Sequence, residues 1–274
     1  MQSLIRHIQA CNNAELPGER LPFSLGSQQV GWVLPDLAAA LGKLAGITGE
    51  NGTITLHDAA RLPEIARIAA SLGFGRVRSE AFDVRASSTG PVLSTIDRGA
   101  LPAFGIAAQG VHLDGLVRKP DGLHIWIGKR AADKALDPGK LDHIVAGGIP
   151  AGLTPWQTLV KEANEEASIP PNLLTPATQY ATIQYAMTRK EGLRRDILHC
   201  YEVELPPDFT PKPQDGEVES FTLMPLDQIR DIIAQTDDFK FNVNLVLLTL
   251  LLRHNAIVGQ VAADLRAALA TVSL

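Results

Sequence analysis

The spacing of apolar and polar positions divides the chain into two regions. In the N-terminal third, short apolar stretches separated by turn residues predict brief strands and helices. Further along, the apolar runs lengthen, and two of them flank the turn at 119–122 as a predicted hairpin. The pattern predicts a small mixed α+β domain over residues 1–103. A second domain, over 104–274, is predicted to contain a mixed sheet flanked by helices.

The periodicity assigns each predicted element a range. The predicted helices cover residues 1–11, 36–44, 58–72, 155–167, 225–234, 242–253 and 258–270. The predicted strands include two within 22–34, then 81–85, 92–96, 106–117, 123–129, 142–145, 178–187, 196–205 and 218–224. The most apolar run, 245–252, is far shorter than the roughly 20 residues that a bilayer requires. We therefore expect it to be a buried helix, with no membrane partner.

Composition and charge narrow the class of protein. The 274 residues are 45% hydrophobic and 20% charged, with a net charge of −5, which disfavours binding to a nucleic-acid polymer. Cys11 and Cys200 are too few for a disulfide framework and have no metal-ligand spacing. These features lead us to expect a cytoplasmic protein, and they leave a homodimer open.

One predicted helix carries three glutamates at spacing i, i+3 and i+4. It begins after Thr154, a good N-cap, and helical rotation places Glu162, Glu165 and Glu166 together beside the apolar stripe. Like charges at this spacing gain nothing unless a cation joins them, and hard cations such as Mg²⁺ bind carboxylate oxygens. Solvated surface glutamates are the alternative. The glycine-rich loop 147–152 favours a binding site because it allows backbone to approach a ligand closely.

These residues resemble the signature of Nudix hydrolases. That signature is glycine, five residues, glutamate, seven residues and then Arg-Glu-apolar-x-Glu-Glu-x-Gly-apolar. With Gly147 as the first glycine, the metal-binding glutamates of the family fall on Glu162, Glu165 and Glu166. The resemblance implies a Nudix α/β/α sandwich with a mixed sheet. It also implies Mg²⁺, with Mn²⁺ as an alternative, and hydrolysis of a small-molecule diphosphate.

Three positions depart from the signature. Leu153 replaces the early glutamate, Lys161 replaces arginine and Ser168 replaces glycine. The first two changes affect the ion pair that braces the loop in the family, and they favour the alternative of a module that binds a phosphorylated ligand without hydrolysing it. The three intact glutamates weigh against that alternative.

A longer resemblance, to the Nudix subfamily related to thiamine pyrophosphokinase, covers about residues 20–256. It rests on segments 110–115, 138–142, 215–219 and 239–242, and on the N-terminal landmarks 78–80 and 97–98. The resemblance implies an N-terminal extension before the Nudix domain. It also implies a substrate such as thiamine diphosphate or its oxidised analogues, cut to the monophosphate and phosphate. Nudix hydrolases of ADP-ribose, nucleotide sugars or nucleoside triphosphates are the enzymatic alternatives.

Further residues are candidates for catalysis and for substrate binding. Besides Glu165, Glu217 is the first candidate for a catalytic carboxylate because it follows a turn and opens a strand, and Glu219 is the alternative. The cations expected to meet phosphate lie close in sequence to the glycine loop or before the apolar helix. The expected substrate-binding residues are Arg130, Lys134, Gly147, Gly148 and Lys240.

Overall fold

The computed structural model describes residues 2–134 and 136–270. Its helices are α1 Gln2–Cys11, α2 Pro35–Leu41, α3 Leu62–Ser71, α4 Leu101–Phe104, α5 Pro155–Ala167, α6 Pro171–Leu174, α7 Leu226–Gln235, α8 Val243–Arg253 and α9 Gly259–Ala270. Its N-terminal strands are β1 Leu21–Leu25, β2 Gln28–Val33, β3 Ile47–Glu50, β4 Thr53–Leu56, β5 Ala81–Val84 and β6 Ser94–Asp97. The later strands are β7 Ala107–Lys119, β8 Gly122–Arg130, β9 Leu141–His143, β10 Val145–Gly148, β11 Thr178–Arg189, β12 Gly192–Glu204 and β13 Val218–Pro225.

The second half of the chain is built on one mixed sheet. Its strand order is β11-β12-β7-β8-β13, with β10 paired to β7 and β9 paired to β8. β12 runs parallel to β7, whereas the other pairs are antiparallel. The prediction of a mixed sheet is confirmed.

Helices cover both faces of this sheet. On one face, Leu159 and Ala163 of α5 pack with Val111 and Leu113 of β7. On the other face, Leu245 of α8 packs with residues of β11 and β12. Successive strand residues point to opposite faces, so one strand supplies both cores. The arrangement is the α/β/α sandwich that the resemblance to Nudix hydrolases implies.

The N-terminal region contains its own four-stranded sheet, in the order β2-β1-β4-β3, and the β5–β6 hairpin. Its core includes Phe23, Ile65 and Phe104, all fully buried. Helix α1 lies elsewhere: Leu4 and Ile8 pack with α7, α8 and α9. The division between residues 103 and 104 stays a prediction, because α1 precedes the N-terminal sheet in sequence but shares the core of the C-terminal helices.

The apolar run expected to be a buried helix is the centre of α8, where most side chains are fully enclosed. Among the described residues, no helix combines the length and the apolar character needed to cross a membrane. Both cysteines are free and buried, Cys11 at the end of α1 and Cys200 in β12. The position of Met1, predicted as the start of α1, lies outside the described residues.

Candidate active site

The start of α5 is fixed by its own sequence. The Thr154 hydroxyl accepts a hydrogen bond from the backbone N–H of Gln157 at 3.2 Å, and the Gln157 side chain accepts one from the Thr154 N–H at 2.9 Å. This reciprocal capping box, with Pro155 at the first helical position, satisfies donors that a helix start leaves unpaired. The predicted helix is therefore confirmed, and its start sets the direction of each glutamate.

The three glutamates of α5 occupy three different environments. Glu166 is buried, and one of its carboxylate oxygens accepts a hydrogen bond from the N–H of Ala146 at 2.9 Å. Glu162 is half-buried against Gly147, where an added Cβ would lie 2.7 Å from the Glu162 Cγ atom. Glu165 is exposed. The site therefore runs from the sheet edge at β10 out to solvent.

Lys161 links two of these carboxylates. Its Nζ lies 3.1 Å from Glu162 Oε1 and 2.6 Å from Glu165 Oε2. The hydrogen bond to Glu165, followed by that to Glu162, raises the pKa of Lys161 despite partial burial. Lysine at the position where the signature has arginine thus still neutralises the glutamates, as a point charge rather than a bidentate fork.

A second acidic segment meets the helix. Carboxylate oxygens of Glu166, Asp215 and Glu217 lie within 4.8 Å of one another. Glu217 stands at the turn before β13, and its N–H donates to Asp215 Oδ1 at 2.8 Å. The structure therefore brings Glu217, predicted from sequence, to the helix glutamates. Glu219 points elsewhere, with its carboxylate 2.7 Å from Lys129 Nζ.

Asp215 also belongs to this cluster, although its sequence position within segment 215–219 does not by itself indicate a role. The Asp-Gly pair at 215–216 reads first as a turn, because aspartate often caps a turn through its own side chain. In the structure Asp215 does so and also faces Glu166. Two acidic residues two positions apart, before a strand, were the signal that could have identified it.

The donor set fits a hard divalent cation. Burial raises the pKa of Glu166, the Ala146 hydrogen bond opposes this, and the Glu162 carboxylate raises the pKa further. Burial is also the main cause that raises the pKa of Glu162. Both shifts express the cost of holding carboxylates together away from water. A divalent cation would offset that cost, and clustered carboxylate oxygens are what Mg²⁺ binds.

The predicted phosphate-binding cations lie in two places. Lys134 meets the cluster, with its Nζ 2.5 Å from Glu217 Oε2. Arg130, which is partly buried, and Lys240, which is buried, lie instead beside Asp142, at 2.7 Å and 3.3 Å from its Oδ2. Burial disfavours ionisation of Asp142, but Lys240, with neighbouring histidines and Arg130, outweighs it and lowers the pKa of this carboxyl. Arg130, Asp142, Glu166 and Glu217 line one small cavity.

The other two departures from the signature have structural explanations. Ser168 ends α5 with a φ of 56°, the left-handed conformation in which glycine is usual. Its hydroxyl donates to the carbonyl of Lys212 at 2.8 Å, which holds the segment before Asp215. Leu153 lines a cavity at the start of α5. Both residues therefore serve local contacts that the family signature does not contain.

Both regions of the chain match known protein families. Residues 110–245 match the family described as NUDIX domain, and residues 3–108 match the one described as Domain of unknown function (DUF4743). Nudix hydrolase 20, chloroplastic, of Arabidopsis thaliana is 37% identical over 91% of this chain and 72% of the plant protein. Nudix hydrolase 24, chloroplastic, of the same plant is 34% identical over 94% and 74%. The uncharacterized protein YJR142W of Saccharomyces cerevisiae is 31% identical over 59% and 51%.

The relatives correct one expectation. Composition and cysteine content led to a cytoplasmic location, but both plant relatives are described as chloroplastic. The expectation was wrong, because a low cysteine count reports only a reducing environment and does not distinguish one reducing compartment from another.

The two plant relatives match nearly the whole chain. This similarity agrees with the structure, in which the glutamate helix lies on a mixed sheet. The match to the NUDIX domain begins within β7 and ends near the start of α8, and it includes every carboxylate of the cluster. This chain therefore belongs to the Nudix hydrolase family and is a hydrolase that acts on phosphoanhydrides.

Proposed function

We propose that this protein is a Mg²⁺-dependent pyrophosphatase that cleaves a diphosphate joined to an organic group. The observation that carries the proposal is the meeting of Glu166 with Asp215 and Glu217, within 4.8 Å, from segments far apart in sequence. Gathering like charges costs free energy, which a bound divalent cation offsets. Such cations are the usual means of neutralising a diphosphate during hydrolysis.

In this proposal Glu162, Glu165 and Glu166 would hold the cation, and Mn²⁺ could replace Mg²⁺. When bound, the cation neutralises charge on the diphosphate and favours ionisation of an attacking water. The structure supports the assignment because Glu166 uses one oxygen for the Ala146 N–H, and no hydrogen bond from the described residues reaches its second oxygen. Gly147 also supports this assignment, because a side chain at position 147 would overlap the side chain of Glu162.

Glu217 is the proposed base, with Glu165 as the second candidate. Both carboxylates are exposed, so water reaches them, and each already holds a lysine, Lys134 or Lys161. A water oxygen forms a bond to one phosphorus while the bond from that phosphorus to the bridging oxygen breaks, and the bridging oxygen leaves with the other phosphate. The carboxylate accepts the water proton, and the nearby lysine stabilises the charge that develops on phosphate oxygens.

Arg130 and Lys240 contribute to substrate binding through their electrostatic field. Arg130, which is partly buried, and Lys240, which is buried, share the single carboxylate of Asp142, so the three ionised groups together carry one net positive charge. Part of that charge lies in the cavity wall, since Arg130 and Asp142 line the same cavity as Glu166 and Glu217. Low local dielectric strengthens its attraction for a diphosphate. We therefore propose that this pair helps to bind the substrate by charge, while Lys134, with Gly147 and Gly148, approaches the phosphates.

The first substrates to test are thiamine diphosphate and its oxidised analogues, a choice that rests on the sequence resemblance of segments 110–115, 215–219 and 239–242. ADP-ribose, nucleotide sugars and nucleoside triphosphates complete the panel. Phosphate release, or product analysis where no free phosphate forms, should be followed with and without Mg²⁺. If the protein hydrolyses none of these compounds, the proposal is contradicted.

Three glutamine variants test the residue assignments. Glu217→Gln and Glu165→Gln should each lower kcat by about 10²-fold or more, as expected for loss of a base or of a metal ligand. Glu219→Gln makes the same chemical change two residues from Glu217 but outside the cluster, on a carboxylate held by Lys129. It should keep kcat within about threefold of the wild type. A fully active Glu165→Gln variant would refute the assignment of Glu165.

A further inference from the structure

A cavity of about 230 Å³ lies where the N-terminal region meets the loop before α5. Strand β5 and the turn after it form one wall, and the start of α5, with β7 and β12, forms the other. The lining residues on which its chemistry depends are Phe82, Asp83, Arg85, Gln109, Leu153 and His199. Because both regions contribute, the cavity exists only when they are joined.

Hydrogen bonds across the junction hold the two walls together. The N–H of Ala151 donates to the carbonyl of Ala81 at 2.8 Å, and the N–H of Gly152 donates to Asp83 Oδ1 at 3.3 Å. The Gln109 side chain donates to the carbonyl of Ser88 at 3.3 Å. The loop that begins the glutamate helix is thus bound to the N-terminal hairpin, and the cavity between them is a built feature.

The polar groups of the cavity carry no net charge. Asp83 and Arg85 form an ion pair at 3.1 Å. His199 Nε2 lies 2.8 Å from Gln109 Oε1, and burial lowers the pKa of His199, so the imidazole is neutral at pH 7. A site of this kind offers donors and acceptors without attracting a second phosphate. It suits a flat heterocycle that carries both N–H groups and acceptor atoms.

Apolar groups complete the cavity. Phe82 is buried, and its ring lies against Gly148, where an added Cβ would be 2.6 Å from Cζ. Ile149 and Pro155 add aliphatic surface. Leu153 stands where the Nudix signature has glutamate, and a carboxylate at this position would place a second negative charge near Asp83. The departure at Leu153 therefore makes the wall apolar.

Size and position relate the cavity to the glutamates. Pro155 lines the cavity, and Glu162 follows seven residues later in the same helix, about 10 Å away at 1.5 Å per residue. The volume is below the roughly 300–1,000 Å³ typical of sites that enclose a drug-sized ligand, so it accommodates one ring system rather than a whole dinucleotide. A diphosphate linked to a ring spans a comparable distance.

We propose, on the basis of the function proposed above, that this cavity binds the heterocyclic ring of the organic diphosphate while the diphosphate lies at the glutamates. Phe82, Asp83 and Arg85 then determine which ring is accepted, and the N-terminal region is a specificity element of the enzyme. Interactions of this kind act on ground state and transition state alike, so they change KM more than kcat.

The test uses the full chain and the best diphosphate substrate of the panel, together with its ring compound lacking phosphate as a competitive inhibitor. Leu153→Glu should raise both the KM of the substrate and the Ki of the ring compound at least tenfold, with kcat changed less than threefold. Leu72→Glu makes the same substitution at a leucine that is 56% exposed and outside the cavity, and it should change neither constant. Circular dichroism and Tm confirm that each variant is folded.

The outcomes separate the two proposals. An unchanged Ki in Leu153→Glu, or a loss confined to kcat, overturns the cavity assignment and leaves the proposed hydrolase function standing. If no diphosphate is hydrolysed, the proposed function fails, and the cavity is tested by NMR titration of the ring compounds of the panel. Shifts at the Leu153 methyl groups that disappear in Phe82→Ala support the cavity as a ring site. Absence of shifts with every ring compound refutes it.

Discussion

Two adjacent glycines of β10 offer a sharp test of how the active site is held. Gly147 faces α5, where an added Cβ would lie 2.7 Å from Cγ and 2.8 Å from Cδ of Glu162. Gly148 faces the opposite way, and an added Cβ there would lie 2.6 Å from Cζ of Phe82. Neither glycine has a positive φ. Alanine at either position therefore causes a purely steric conflict, with a glutamate in one case and with the N-terminal hairpin in the other.

The magnitudes follow from these distances. Ordinary contact between carbon atoms is about 3.5–4.0 Å, so the side chain of Glu162 must move by the better part of an ångström in Gly147→Ala. Overpacking of this kind costs about 1–3 kcal/mol of stability in either variant. Misplacement of a catalytic group by about 1 Å costs on the order of 10²-fold in rate. Only Gly147→Ala moves a proposed metal ligand.

The assay combines thermal unfolding with titration of activity against Mg²⁺. Both variants should lose several degrees in Tm, but only Gly147→Ala should lose about 10²-fold in kcat and bind Mg²⁺ more weakly. Adding Phe82→Leu should restore the Tm of Gly148→Ala, because it removes the ring atom that clashes, and should not restore Gly147→Ala. Equal loss of Mg²⁺ affinity in the two variants, or none in Gly147→Ala, would show that Gly147 does not set the position of a metal ligand.

Three further predictions concern buried charges. Glu166→Gln should abolish tight Mg²⁺ binding yet stabilise the metal-free protein at pH 7.5 and not at pH 4.5 in urea unfolding. Burial raises the pKa of Glu166 in the folded protein, so the protonated side chain contributes stability below the unfolded pKa. That contribution is lost as pH rises and the buried carboxyl ionises. Mg²⁺ affinity from calorimetry should weaken as pH falls, since protons compete for Glu166; a pH-independent affinity would contradict this. Asp142→Asn leaves Arg130 and Lys240 without a buried carboxylate and should cost about 3–5 kcal/mol. In the wild type, the contribution of Asp142 is present above its unfolded pKa and should be lost as pH falls below about 4, because the folded pKa is lowered. Equal urea midpoints for Asp142→Asn and wild type at pH 7 would exclude this role.

Local patterns in the sequence predicted elements whose cause is itself local. The capping box at Thr154 and Gln157, the hairpin turn at 119–122 and the apolar centre of α8 all appear in the structure close to the predicted positions. One local signal was missed. Asn51-Gly52, both with positive φ, turns β3 into β4, and this dipeptide is a strong hairpin signal. The surrounding polar residues concealed the two short strands.

Contacts between distant segments lay beyond the sequence. Lys240 and Asp142 are brought together by the pairing of Leu141 with Phe239. No local sequence pattern indicates this contact, so the sequence alone leaves Arg130 and Lys240 available to bind phosphate. Helix α1 likewise has an apolar stripe that fits many partners, and only the assembled fold shows that it packs with α7, α8 and α9.

The glutamate helix, the mixed sheet and the family could all be predicted from the sequence, because spacing along one helix or strand is a property of neighbouring residues. The tertiary structure alone decided that Asp215 joins Glu166, and that Lys134 rather than Lys240 faces the exposed carboxylate of Glu217. It also decided that two regions share one cavity. The physical reason is that long-range proximity arises from the packing of whole elements, which no short stretch of sequence encodes.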